Sequence, residues 1–214
     1  MNKKSNSVPK PVYLPSDEPY LGRKSVYQFD QVIISCLEAN SEIAAYTHNI
    51  KLSLIQKAAC QIIPQGINLA LTIRELIRQG YLFGALVLMR PLIERAAIIS
   101  YLYKHPDEVK VWEEGWESDK RPSLSKMIDT MGNNADITIA KKICETFGHI
   151  VHGDPVGSQW NLIKLDSGRL GYSVGKTIND PELCDFICFQ SYCYLIVIMG
   201  MMAGCFPNDN RDIL

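Results

Sequence analysis

The sequence predicts an all-α helical bundle of about five to seven helices with one small β-hairpin before the last helix. Apolar residues recur at a helical period over most of the chain. Two stretches, 81–103 and 181–206, are apolar enough to form a buried centre. Strand-like alternation appears at one place only, about 158–175. With 214 residues, 47% apolar and 21% charged, the chain has material for one core and hence one domain. A net charge of −1 and a pI near 6.4 supply no global basic field for a nucleic acid or an anionic membrane.

Residues 1–24 are rich in Pro, Ser and Lys and read as a flexible N-terminal arm, able to touch the body through Tyr13, Leu14, Tyr20 and Leu21. No secretory leader is expected, because the first lysines precede no apolar run. The bundle is expected over 25–206, with a short tail over 207–214. From 25 to 47, Val26, Phe29, Val32, Ile33, Cys36, Leu37, Ile43 and Ala44 fit one helical face, and Ser25 is the expected N-cap. Over 52–78, Pro64 and Gly66 leave two readings, a pair of short helices or one kinked helix. The stretch YLFGALVLMRPLIERAAIISYLY follows as a third helix, in which Pro91 should free the Val87 carbonyl.

A short helix with Pro106 at its first position comes next, then another over 121–131 and a turn at Gly132-Asn133-Asn134. The helix expected over 136–151 is ended by Gly153, Asp154 and Pro155. Around Asp166-Ser167-Gly168 the pattern switches to alternation, with Trp160, Leu162 and Ile163 before the turn and Leu170, Tyr172 and Val174 after it. Asp180 then caps the last helix, with Pro181 at its first position. Residues 186–206 carry no charge and are long enough to span a bilayer. Gln190, Ser191 and the lack of basic residues near the N-terminal end favour a buried core helix over an anchor. A membrane-associated protein held by this helix is the lesser alternative.

Seven cysteines, at 36, 60, 144, 184, 188, 193 and 205, include no Cys-x2-Cys pair. They read as free thiols in a reducing cytoplasm, without a metal site. Two charged groups stand out instead. Arg90 and Glu94 share a helix face at i, i+4 while Arg95 points away. The pair reads either as a salt bridge tying this helix to a neighbour or as a phosphate or carboxylate fork held by Glu94. Glu145, His149 and His152 form a patch at the end of a later helix, with Asp154 just beyond. Three roles fit those histidines: partners of the helix dipole, metal ligands of unusual spacing, or acid/base groups. Lys120 with Arg121, and Lys141 with Lys142, read as solvated surface.

MRPLIERAAIISYLY, a later helix ending in FGHIVHGDP, a short hairpin and a final apolar helix together resemble a family of uncharacterised bacterial proteins in the HEPN-like class of α-helical domains. The resemblance covers roughly residues 30–205. The family's Arg-x3-Glu on a central helix and His-Gly at the end of a later one map onto Arg90, Glu94, His152 and Gly153. It implies a four- or five-helix bundle that commonly dimerises, hence a homodimer. It also implies a cytoplasmic, cofactor-free and metal-independent endoribonuclease acting in bacterial defence or stress response. In characterised HEPN domains the histidine acts on the ribose 2′-hydroxyl while an arginine steadies the phosphate.

That class carries Arg-x(4–6)-His on one helix, whereas here the nearest match is Lys142-x6-His149. A lysine is a point charge and does not replace the arginine fork. Arg90 could supply the guanidinium from a neighbouring helix, so the expected catalytic set is Arg90, Glu94, His149 and His152 around one cleft. A non-catalytic module binding a nucleotide, RNA or a protein partner is the alternative.

Overall fold

Helices that are apolar around most of their circumference have to be surrounded, and that requirement sets the arrangement of this chain. The computed structural model describes residues 18–48, 51–117, 121–132, 136–151, 155, 159, 162–164, 168–172 and 179–207. The helices are α1 (Lys24–Thr47), α2 (Leu54–Arg78), α3 (Leu82–Lys104), α4 (Glu108–Glu113), α5 (Leu124–Ile128), α6 (Ile137–Val151) and α7 (Pro181–Cys205). The strands β1 (Leu162–Lys164) and β2 (Leu170–Tyr172) pair antiparallel, Leu162 opposite Tyr172 and Lys164 opposite Leu170. The protein is thus an all-α bundle with a small hairpin before its last helix.

α2 and α7 pack on each other, and both α1 and α3 pack on the two of them. α5 and α6 lie along α3, and α4 leans on α2. α3 buries Leu82, Ala85, Leu86, Met89, Leu92, Ile93 and every residue from Ala96 to Leu102. α7 buries Cys184, Ile187, Cys188, Tyr194, Leu195, Ile198 and Met202, and Gln190 accepts a hydrogen bond from the Tyr194 hydroxyl inside the core. Among the described residues, α7 is the one helix long and apolar enough to cross a membrane, and 56% of its most apolar window is buried in the bundle. Close approach at the centre needs a small residue. A Cβ on Gly66 of α2 would stand 2.5 Å from the Ile198 side chain of α7 and 3.6 Å from Arg95 of α3.

The helix ends follow local chemistry with some exceptions. Ser53 and Gln56 form a reciprocal capping box on α2, and the Asp180 carboxylate accepts from Leu183 N–H on α7. α2 and α3 both run unbroken through Pro64 and Pro91, so the one-helix reading of 54–78 is the correct one. Ser25 is not the N-cap of α1. Arg23 occupies that position without a side-chain cap, and the Ser25 hydroxyl donates to Asp185 of α7. Pro106 lies two residues ahead of α4, whose N-cap is Asp107.

Residues 18–23 are tied to the body. Arg74 pairs with both Glu18 and Asp30, Arg23 with Asp185, and buried Tyr20 accepts from the Asp180 N–H through its hydroxyl. Residues 1–17 and 208–214, Trp160, Val174 and the turn residues Asp166 and Ser167 lie outside the described residues.

All seven cysteines are unbridged. Burial pushes the Cys36, Cys144 and Cys205 thiols up to about 12. The folded chain therefore holds neutral thiols, whereas the unfolded chain ionises them near their ordinary value. This contribution to stability is complete below about pH 9 and is lost as pH rises toward 12, at roughly 1.4 kcal/mol per unit for each thiol. The urea midpoint is expected to fall between about pH 8 and pH 10.5, and to fall less in a Cys36→Ala variant. An identical fall in that variant would contradict the assignment.

Candidate functional site

Arg90 and Glu94 project from the middle of α3, one turn apart, on the side that α6 covers. Arg90 Nε donates to Glu94 Oε1 at 3.1 Å, and their side chains are 25% and 22% exposed. A pair this covered is worthwhile only when each charge is compensated, and here each compensates the other. The carboxylate holds the guanidinium by one edge. Arg95, one position on, turns the other way and donates to Gln65 of α2.

The far edge of the guanidinium reaches α6 at Gly148. A Cβ there would lie 2.6 Å from Arg90 Nη1 and 3.7 Å from Cζ, so a glycine is what lets the arginine lie flat against this helix. One turn earlier on the same face, Cys144 is buried. Its thiol is pushed up to about 12, by burial first, then by Glu94, with Arg90 acting in the opposite direction. Cys144 and Gly148, four residues apart, thus form the α6 stripe that meets the Arg90–Glu94 pair. Ala140, Ile143 and Phe147 are buried beside it, which anchors α6 along the apolar length of α3.

Glu145 and His149 follow that stripe by one residue each, about 100° further round the helix, and both are exposed. Arg90 therefore meets α6 at the residue next to His149, with the guanidinium in the seam and the imidazole on the solvent side. His149 also stands in the last turn of α6, where a helix C-terminus favours positive charge. His152, Gly153 and Asp154 lie outside the described residues. Lys141 is not simply solvated: it pairs with Asp129 at the end of α5 at 2.6 Å and helps fix α6. Lys142 is exposed.

Gly148 and Cys144 were not singled out by sequence reasoning. The one available signal was a glycine inside the strongly amphipathic α6, where it weakens the helix unless something approaches closely. Among the described residues, no group of three or more His, Cys, Asp or Glu side chains is placed to hold a metal ion. Chemically, the seam offers an arginine fork fixed by a carboxylate and partly open to solvent, with a histidine at its edge. That arrangement suits an oxyanion. Comparison with protein-family models, with curated proteins and with solved structures finds no match to this chain.

The contact between Arg90 and Gly148 should appear as coupling. Gly148→Ala displaces the guanidinium in the wild-type background. In an Arg90→Ala background the same change is free to show its helix-propensity gain of about 1 kcal/mol. A double-mutant cycle read by urea unfolding is expected to give an interaction energy on the order of 0.5–3 kcal/mol. Strict additivity would mean that the two residues do not touch.

Proposed function

We propose that this chain is a HEPN-like domain protein that binds RNA and cuts it without a metal, at the seam between α3 and α6. The observation that supports this best is the placement of the Arg90 guanidinium against Gly148, the residue next to His149. In this reading Arg90, oriented by Glu94, steadies the scissile phosphate. His149 or His152 takes the proton of the ribose 2′-hydroxyl, whose oxygen then attacks the adjacent phosphorus to form a 2′,3′-cyclic phosphate, while the 5′-oxygen of the next nucleotide leaves as a hydroxyl by taking a proton from water. The arginine comes from α3 instead of the histidine's own helix, a composite arrangement that would compensate for the missing Arg-x(4–6)-His. A role in bacterial defence or stress response comes with the same resemblance, and the unbridged cysteines agree with a reducing cytoplasm.

The test is incubation of the purified protein with total RNA in the presence of EDTA. Cleavage is expected, with a loss of about 100-fold or more in His149→Ala or His152→Ala, the size typical of a removed general base. Arg90→Lys should also be impaired, because it keeps the charge and loses the fork. No cleavage by the wild type, or cleavage at the wild-type rate by both histidine variants, would overturn the catalytic reading.

The neutralisation of Arg90 by Glu94 favours a second reading, a non-catalytic module that holds a nucleotide or RNA phosphate in the same seam. It predicts thermal stabilisation by RNA or a nucleotide. That stabilisation should disappear in Arg90→Ala without loss of fold.

A further inference from the structure

A cavity of about 200 Å³ opens where the C-terminal turn of α1, the first half of α2 and the C-terminal end of α7 meet. Its walls are mainly apolar, formed by Ile43 of α1, Ile63 of α2, and Met202 and Phe206 at the end of α7, all members of the core. Asn40, Thr47 and His48 give it a polar rim. An apolar cavity of about 150 Å³ is enough to hold benzene, so a compound of one or two aromatic rings has the size that fits.

A backbone acceptor gives this cavity a chemical preference. α2 continues unbroken through Pro64, and proline has no N–H to donate. The Cys60 carbonyl, four residues earlier, therefore lacks its helical partner. A helical carbonyl points along the axis toward the residue four on. Cys60 and Pro64 both line the cavity, so that carbonyl stands at its wall. The end of α7 is served differently, because Gln56 Nε2 donates to the Cys205 carbonyl at 3.1 Å. No corresponding side chain serves Cys60 among the described residues.

The last turn of α1 borders the same cavity and contains no lysine or arginine. The partial negative charge of its carbonyl end is not offset there. Both features call for a hydrogen-bond donor. No carboxylate lines the cavity, so a charged ammonium would lack a counter-ion between apolar walls, which is costly. A neutral N–H or O–H on an aromatic ring suits the acceptor and the walls together.

We infer that this cavity binds a small neutral aromatic molecule with one hydrogen-bond donor, of the indole or phenol kind. The donor meets the Cys60 carbonyl, and the ring lies against Ile63, Met202 and Phe206. The site is separate from the α3–α6 seam and does not depend on RNA cleavage.

An NMR titration of the full chain with indole should show one saturable site. Its Kd should be on the order of 0.1 mM, within reach of a ligand of about nine heavy atoms. Benzofuran has the same shape with an oxygen in place of the N–H, and should bind about tenfold more weakly. Pro64→Ala restores the missing N–H, which takes up the Cys60 carbonyl within the helix. That variant should hold both ligands equally, at the wild-type affinity for benzofuran. Ala44→Leu, at the exposed mouth of the cavity, should abolish binding of both while keeping the circular dichroism spectrum. Indole should also slow alkylation of the exposed Cys60 thiol by iodoacetamide, followed by peptide mass spectrometry. Absence of saturable indole binding, or equal affinity of the wild type for the two ligands, would overturn the inference. So would a preference that survives Pro64→Ala, binding that survives Ala44→Leu, or alkylation of Cys60 that indole leaves unchanged.

Discussion

The structure depends on enclosing α3, a helix apolar on nearly every side. Such a helix is stable in water only when other elements cover each face. α2, α7, α5 and α6 do this between them, and the positions of the shorter helices follow from it. α5 and α6 are pressed onto the side that the long helices leave open. α7 has the same need but has neighbours on only part of its circumference.

Inside that enclosure, Arg90 and Glu94 are the exception that calls for an account. A single ion in the wall of an apolar seam would be strongly unfavourable, and two that meet at 3.1 Å are tolerable. The pair nevertheless holds a guanidinium against a helix whose next residue is a histidine. At Gly148 the guanidinium lies where a methyl group would otherwise stand, and its long side chain would have to shift to admit one. The close approach brings the fork and the α6 backbone into one surface.

Much of the architecture was legible in the chain because its causes are local. The 3.6-residue period of α1, α2 and α6, the Asp180-Pro181 start of α7 and the alternation on either side of Gly168 depend on neighbours a few residues away. The burial of α3 and α7 followed from composition alone. The i, i+4 pairing of Arg90 and Glu94 was readable for the same reason. Pro64 was ambiguous because a proline signals the loss of one hydrogen bond, whereas the packing on both sides of it decides whether the helix continues.

Tertiary structure decided the remainder. That Ser25 serves Asp185 instead of its own helix, that Tyr20 is buried beneath Asp180, and that Arg74 gathers Glu18 and Asp30 are contacts across dozens of residues. No local pattern encodes them. The same holds for Gly148: sequence alone showed a glycine in a helix, and only the docking of α6 on α3 made it the bed of Arg90. By itself the sequence determined which segments are helical, which helices must be buried, and that Arg90 and Glu94 share a face. Only the packed structure decided what that face meets, because the rotation and register of one helix on another are set by the whole shared core.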